Sequence, residues 1–172
     1  MAKAKKKVVK KAAKKVARKK VKALKKTVKK PTEKIPAKGL SPYLCFNGNC
    51  REAMEFYRDS IGGKILSLQT FGDAPMDSTP EQKNLVMHSE FKADAVYFMA
   101  SDAMPGQPVT SGSNVTLSIN FTKLAEQEAV FSKLSAGGTI IMPLQETFWG
   151  AKFGMFTDKF GIQWMLNCQL KK

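Results

Sequence analysis

The chain contains little histidine and cysteine and lacks long apolar runs. Its 172 residues include one histidine, His88, and three cysteines, Cys45, Cys50 and Cys168, without C-x-x-C spacing. This pattern excludes a zinc ribbon and a disulfide scaffold. No apolar run approaches the roughly 20 residues of a membrane-spanning helix, and no secretory signal opens the chain. We therefore expect a cytoplasmic protein with no membrane partner.

Acidic residues are almost missing from the first 38 positions. This segment holds 18 Lys and Arg but one acid, Glu33, whereas the remaining residues hold 11 basic and 13 acidic side chains. The net charge of +15 therefore arises in the first segment. We interpret residues 1–38 as a Lys/Ala-rich tail and linker, disordered or transiently helical, and residues 39–172 as one globular domain.

The tail has the composition of a polyanion-binding segment. Its lysines alternate with Ala and Val, and it has no aromatic residue to stack on bases, which favours sequence-independent contact with phosphates. A membrane surface is less favoured, because such helices carry Trp, Phe or several Leu; a purely solubilising role is the other alternative. The tail resembles those of linker histones and bacterial histone-like proteins, which implies non-specific DNA or RNA binding and nucleoid association. The predicted nucleic-acid-binding residues are Lys5, Lys6, Lys7, Lys10, Lys11, Lys14, Lys15, Arg18, Lys19, Lys20, Lys25, Lys26, Lys29 and Lys30.

Six residues recur as the same residue type 75 positions later. The pairs are Phe46 and Phe121, Phe56 and Phe131, Ser60 and Ser135, Gly62 and Gly137, Gly63 and Gly138, and Ile65 and Ile140. The repeat indicates a duplicated module, and two such modules usually enclose a ligand groove between them.

Both halves of the domain have the same predicted order of elements. The first half is predicted to have a helix that begins after the capping residue Asn49 and ends at Ile61, with strands at 40–46, 64–71, 85–91 and 95–101. The second half is predicted to have a helix at 123–136, capped by Thr122, with strands at 114–121, 139–148, 151–157 and 162–168. The fold class is therefore α+β, with two β-α-β-β-β modules at about 40–102 and 113–169. One helix covers only one face of each sheet, so we expect the uncovered faces to curve toward a common cavity.

These motifs resemble the PhnB-like branch of the vicinal-oxygen-chelate superfamily, which includes glyoxalase I, extradiol dioxygenases and bleomycin resistance proteins. The resemblance covers about residues 40–169 and rests on SPYLCFNGNC at 41–50, EFY at 55–57, ASD at 100–102, LQETFWG at 144–150, DKFG at 158–161 and WMLNC at 164–168. It implies the paired fold and a homodimer. Proteins of this branch are often described as methyltransferases, but the Gly62-Gly63 pair follows a helix, whereas a cofactor-binding glycine loop leads from a strand into a helix.

The resemblance also implies where a metal would bind. The four ligand positions fall at Pro42, Phe98, Asn114 and Met165, and none of these is a histidine or a carboxylate. Divalent transition metals need such ligands. We therefore predict no metal and no other cofactor.

His88 and Glu90 are two residues apart on a predicted strand and so project from the same face. They are a general base with its orienting carboxylate, two ligands of an atypical metal site, or a pair on a solvated strand face. Together with Glu146 they are the predicted catalytic residues.

A second cluster follows in the LQETFWG motif. Its aromatic residues either wall a pocket, with Gln145 or Glu146 fixing the polar end of a ligand, or belong to the core. The predicted substrate-binding residues are Phe46, Asn114, Gln145, Phe148 and Trp149.

The remaining cysteines and aspartates have simpler interpretations. Cys45 and Cys168 lie on strands and are expected to be buried, while Cys50 begins a helix, a position that lowers a thiol pKa. Asp102 and Asp158 are expected to make local hydrogen bonds in turns.

Three functional hypotheses follow. The first is a PhnB-like small-molecule-binding protein or metal-independent enzyme of unknown substrate, carried to nucleic acid by its tail. The second is a nucleic-acid-associated structural protein whose domain is a dimerisation core. The third is a metal-dependent lyase or dioxygenase with an atypical ligand set.

Overall fold

The computed structural model describes residues 39–170 except Met76 and Pro105, so the predictions for the tail lie outside the described residues. The first module contains β1 (Tyr43–Phe46), α1 (Cys50–Ile61), β2 (Lys64–Thr70), β3 (Val86–Ala93) and β4 (Val96–Asp102). The second contains β5 (Leu117–Phe121), α2 (Leu124–Leu134), β6 (Thr139–Glu146), β7 (Ala151–Thr157) and β8 (Gln163–Gln169). The predicted pair of β-α-β-β-β modules is confirmed.

The two sheets have equivalent topologies. The strand order is β1-β4-β3-β2 in the first sheet and β5-β8-β7-β6 in the second. In each sheet the first and last strands of the module pair in parallel, and the other neighbours are antiparallel. The sequence repeat therefore reflects a structural repeat, and each module ends beside the strand with which it began.

Each of the repeated glycine pairs lies between a helix and the strand that follows it. A Cβ atom on Gly63 would collide with the carbonyl oxygen of Lys92, and one on Gly138 with that of Thr157. In both modules, therefore, the chain passes against the end of the neighbouring strand so closely that only glycine fits.

The helix-covered faces of the two sheets share one core. Helix α1 contacts α2, and one cluster of buried apolar side chains runs through both modules. At its centre, the Tyr57 ring of α1 packs against Phe98 of the first sheet and Trp164 of the second, with ring centroids 5.6 Å apart in both cases.

In the part of the chain that the structure describes, the two uncovered sheet faces do not enclose the expected cavity. Tyr43 and Cys45 on the uncovered face of the first sheet are exposed, as are Ser118 and Asn120 on that of the second. The uncovered faces thus lie away from the shared core. Burial of apolar surface favours this arrangement, because the large side chains of both helices are removed from water where the helix-covered faces meet.

The N-terminus of α1 is held by a distant residue. Asn49 makes no side-chain capping bond, contrary to the prediction. Instead, Asp102 at the end of β4 accepts hydrogen bonds from the backbone N–H of Cys50 at 2.9 Å and of Val86 at 2.7 Å. The expectation of a local turn role for Asp102 was therefore wrong, since its carboxylate joins three separate elements.

At the start of α2, the predicted cap also differs from the observed one. The helix begins after Lys123 rather than Thr122, without a side-chain capping bond. None of the helices in the described part of the chain has the length and apolarity needed to cross a membrane.

Candidate functional site

His88 and Glu90 belong to a cluster of polar side chains on the uncovered face of the first sheet. The Nε2 atom of His88 lies 3.6 Å from Oε1 of Glu90, and its Nδ1 atom lies 3.4 Å from the Tyr43 hydroxyl. Glu90 also accepts hydrogen bonds from the hydroxyl groups of Tyr97 at 3.1 Å and Ser67 at 3.4 Å. We call these five residues the Tyr43–Glu90 cluster.

Strand alternation and register bring the cluster together. His88 and Glu90 are alternate residues of β3, so their side chains leave the same face. Met99 of the intervening strand β4 pairs with Tyr43 on one side and Glu90 on the other. Ser67 of β2 pairs with Glu90 from the other side, so residues distant in sequence meet across all four strands of the sheet.

The cluster is only partly exposed, and one of its hydroxyl groups has a raised pKa. The side chain of Glu90 is 15% exposed and that of His88 is 33% exposed, so the pair is partly shielded from water. Burial, and next the hydrogen bond to Glu90, raise the pKa of Tyr97 to about 12, so that Tyr97 stays a proton donor to the carboxylate. In the tautomer that carries its proton on Nε2, His88 directs this N–H toward Glu90, and its Nδ1 accepts from the Tyr43 hydroxyl.

This arrangement has the form of an acid–base relay. A histidine oriented by a carboxylate takes a proton from a hydroxyl group, as in hydroxyl activation by His–carboxylate pairs. The distances are longer than those of a tight hydrogen bond, which is common for catalytic groups without a bound ligand. Tyr43 is the end of the relay from which a proton would pass to or from a ligand.

A cavity of about 580 Å³ lies beside β1 and reaches Tyr43. Its walls are β1 with the following turn, the segment 109–117 between the modules, and the β7–β8 turn. The volume is in the range of small-molecule sites. Tyr43 lines this cavity and also contacts His88, and so it connects the cavity with the relay.

Two of the predicted substrate-binding residues line the cavity. Asn114 lies in the segment between the modules, and Phe46 lies at the end of β1. Phe46 is only 3% exposed, and its ring packs edge-on against Phe160 at 6.1 Å, so most of its surface belongs to the core.

The other predicted residues lie on the second sheet, apart from His88 and Glu90. Gln145 and Glu146 end the exposed edge strand β6, and neither lines the cavity. Phe148 is 98% exposed and Trp149 is 49% exposed in the turn that follows. Their rings form an edge-to-face pair at 4.8 Å, and Trp149 also packs on Phe153. The interpretation of these aromatic residues as core is therefore wrong.

Two of the three cysteine expectations need correction. Cys45 is exposed on the uncovered face rather than buried, whereas Cys168 is buried as predicted. Cys50 is fully buried, and this burial together with the Asp102 carboxylate raises the pKa of its thiol to about 12. The helix start does not lower the thiol pKa here, because an anion already occupies that end of the helix.

Two of the four positions implied as metal ligands are occupied in other contacts. Phe98 is 1% exposed and points into the shared core, and the Pro42 carbonyl is bonded to the backbone of β4. Within residues 39–170 as described, no group of three or more His, Cys, Asp or Glu side chains is placed to hold a metal ion.

The sequence alone did not indicate Tyr43, Tyr97 or Ser67. Tyr43 and Tyr97 lie on strands that do not carry the His-x-Glu pattern, and their proximity depends on the pairing register. The available signal was weak: a strand tyrosine is an amphipathic side chain whose hydroxyl needs a polar partner when partly buried.

Comparison with known proteins places the chain in a family. The family model described as 3-demethylubiquinone-9 3-methyltransferase matches residues 38–167. Protein YjdN of Escherichia coli is 36% identical over 138 residues, which cover 74% of this chain and 93% of that protein.

Solved structures agree with this match. A Pseudomonas aeruginosa protein has 41% identity and a TM-score of 0.72, covering 78% of this chain and 100% of its own. A PhnB protein from Bacillus cereus, described as a 3-demethylubiquinone-9 3-methyltransferase, has 28% identity and a TM-score of 0.63, covering 76% and 99%. The fosfomycin resistance protein of Listeria monocytogenes, with 10% identity and a TM-score of 0.53, shares the fold alone. The chain therefore belongs to the 3-demethylubiquinone-9 3-methyltransferase family, in its PhnB-like form with the vicinal-oxygen-chelate fold.

Proposed function

We propose that this protein is a small-molecule enzyme in which Tyr43, His88 and Glu90 carry out acid–base chemistry. The observation that carries the proposal is the double position of Tyr43, which lines the cavity while its hydroxyl contacts Nδ1 of His88. A ligand in the cavity would therefore lie beside the tyrosine whose hydroxyl contacts the histidine.

Each member of the cluster has a distinct role in this proposal. Tyr43 exchanges a proton with the ligand, and His88 takes up or returns that proton. Glu90 orients the imidazole, while Tyr97 and Ser67 hold the carboxylate in place. The chemistry is proton transfer by side chains, which contributes typically about 100-fold to 10,000-fold to a rate.

The family description names a methyltransferase, but the residues support acid–base chemistry better. A nucleotide-type cofactor loop presents free backbone N–H groups at a helix N-terminus. Here the Asp102 carboxylate already accepts from the first N–H of α1, and the glycine pair Gly62-Gly63 stands at the opposite end of that helix. We therefore do not extend methyl transfer to this chain.

Mass-spectrometric profiling tests the proposal. The full-length protein is incubated with a defined panel of polar metabolites, and we expect it to consume at least one of them. Tyr43→Phe and His88→Asn should each lower that rate by about 100-fold or more, because each breaks the relay. Glu128→Gln is the matched control, since Glu128 is an exposed carboxylate of α2 that pairs with Lys152 of β7. Tyr43→Phe and His88→Asn proteins as active as this control would refute the proposal.

The tail supports a second, separate activity. Eighteen basic residues and one acid in 38 positions favour contact with nucleic-acid phosphates, so we propose non-specific DNA or RNA binding by the tail. Affinity for duplex DNA should fall steeply with salt, with a slope of about 0.9 for each phosphate contacted. Protein that begins at residue 39 should lose this binding, and equal binding without the tail would exclude the tail as the nucleic-acid site.

A further inference from the structure

One wall of the cavity is an unpaired strand edge. Strand β1 is the outermost strand of its sheet and, among the residues that the structure describes, pairs only with β4. An edge strand presents backbone N–H and C=O groups without partners, and these groups attract another extended chain.

The register identifies the groups that face the cavity. The carbonyl oxygens of Pro42 and Phe46 accept hydrogen bonds from Met99 and Ala103, on the β4 side. Backbone direction alternates along a strand, so the N–H and C=O groups of Tyr43 and Cys45 point to the opposite side. Both residues line the cavity. The edge thus offers two donors and two acceptors in a row.

The turn after β1 and the segment between the modules each add an uncharged polar residue. The side-chain amides of Asn49 and Asn114 line the cavity, and neither has a hydrogen-bond partner among the described residues. These amides can donate to or accept from a ligand that lies along the strand edge.

The cavity carries little charge of its own. Lys159 is the one charged side chain among the described residues that line it. Its Nζ atom is paired with Glu52 at 2.7 Å and lies over the rings of Phe56 and Phe160, at 5.0 and 4.8 Å from their centroids. A lysine that is already paired attracts a free anion weakly, so the walls favour an uncharged ligand.

We propose that the cavity binds an uncharged molecule with at least one secondary amide, extended along β1 as an added strand. Its N–H would donate to a backbone carbonyl of the β1 edge and its C=O would accept from a backbone N–H, while Asn114 contacts the far side. The ligand class is assigned to the same cavity as the proposed acid–base chemistry, and this inference therefore rests on the proposed function. The class is that of short, capped peptide-like molecules.

Cys45 provides the means of testing the proposal on the full-length protein. It lines the cavity and is exposed, whereas Cys50 and Cys168 are buried. N-ethylmaleimide should therefore label Cys45 first, as mass spectrometry can verify. A capped Ala-Ala dipeptide, acetylated at one end and methylamidated at the other, should slow this labelling in a saturable manner. It should also slow amide hydrogen exchange at Tyr43 and Cys45.

Matched probes and variants isolate the hydrogen bonds. The same dipeptide with methylated backbone nitrogens should bind about fivefold to tenfold more weakly, because it lacks the donors. Asn114→Ala should weaken protection by a similar factor, whereas Ser118→Ala, on the uncovered face of β5, should leave it unchanged.

The outcomes separate the ligand class from the proposed function. Equal protection by the N-methylated probe, or protection by glucose but not by the capped dipeptide, would overturn the amide class while leaving the acid–base proposal intact. No protection by any probe would also overturn the amide class. The acid–base proposal is decided separately, by the Tyr43→Phe and His88→Asn rates in metabolite profiling.

Discussion

At the scale of single residues, two buried carboxylates bind parts of the chain that are far apart. Asp102 joins the start of α1 to the start of β3. Asp158 accepts from the Tyr57 hydroxyl and the Trp164 indole N–H, both at 2.8 Å, and from two backbone N–H groups of its own turn. The predicted local hydrogen bonds of Asp158 are thus confirmed, and its carboxylate also holds the side chains of Tyr57 and Trp164.

Tyr57→Phe should destabilise the protein. The substitution removes the hydroxyl that donates to the Asp158 carboxylate, and Asp158 is 3% exposed. A hydrogen bond to a buried charged group contributes about 1.5–3 kcal/mol to stability. Urea denaturation measures the change in the free energy of unfolding. Tyr97→Phe is the control, since Tyr97 donates to the less buried Glu90 and should cost less. A Tyr57→Phe protein as stable as the wild type would contradict this account of Asp158.

Cys50 should make the protein less stable in alkali. Its folded-state pKa of about 12 lies above the ordinary thiol range, so the unfolded chain loses this proton at a lower pH than the folded chain. The contribution is therefore fully present below the ordinary pKa and is lost between about pH 9 and 12.

Urea denaturation at pH 7.5 and pH 10.5 measures this loss. The free energy of unfolding should fall by on the order of 1 kcal/mol per pH unit from this group. Cys50→Ala should show a shallower fall, while Cys45→Ala, at an exposed thiol, should follow the wild type. Identical slopes in all three proteins would show that Cys50 titrates alike in both states.

The site was only partly predictable at this scale. His88 and Glu90 were paired by their spacing of two residues, which fixes their common face. Tyr43 was missed because its contact depends on how β1, β4 and β3 align, and strand register is not encoded in local spacing. The thiol pKa of Cys50 was misjudged because it is raised first by burial in the folded core and next by the Asp102 carboxylate, which is 52 residues away.

At the scale of elements, most predicted bounds differ from the observed ones by a few residues. The strand predicted to end at 148 ends at Glu146, because Thr147 bonds to Ala151 through both its backbone N–H and its hydroxyl and so closes the turn. The strand predicted from 114 begins at Leu117. Helix ends were easier to predict, since Gly62 and Gly137 have positive φ angles that favour glycine.

Gly63→Ala should be much more destabilising than Gly62→Ala. Both residues have positive φ angles, 99° and 81°, but a Cβ on Gly62 meets nothing within 4 Å while one on Gly63 collides with the backbone of β3. Gly62→Ala should cost about 1 kcal/mol from backbone strain alone, and Gly63→Ala about 1–3 kcal/mol more. Thermal and urea denaturation of both variants provide the measurement. Equal losses would show that β3 moves aside at little cost.

At the scale of the whole molecule, the duplication predicted the number of modules but not which of their faces meet. Both uncovered faces are open to solvent in one chain, and the edge strand β6 continues into the exposed Phe148 and Trp149. Exposed apolar patches of this kind typically mark protein interfaces. This patch supports the homodimer that the family resemblance implies.

Sedimentation velocity on the full-length protein should give the mass of a dimer. Replacing Phe148 and Trp149 together with serine should shift the equilibrium toward the monomer, since aromatic side chains dominate the energy of many interfaces. Leu124→Ser is the control, because Leu124 is an exposed apolar residue of α2 outside this patch. A monomeric wild-type protein, or an unaltered dimer in the double variant, would count against the proposed interface.

The contact of Tyr57 with Asp158 and Trp164 has a consequence for how the halves depend on each other. Tyr57 of the first module packs in the core of the second, so neither module has a complete hydrophobic core by itself. Cutting the connection near Gly106 should leave two pieces that remain together and melt in a single step, whereas either piece expressed by itself should not fold. An ancient copying event thus produced two halves that can no longer be separated.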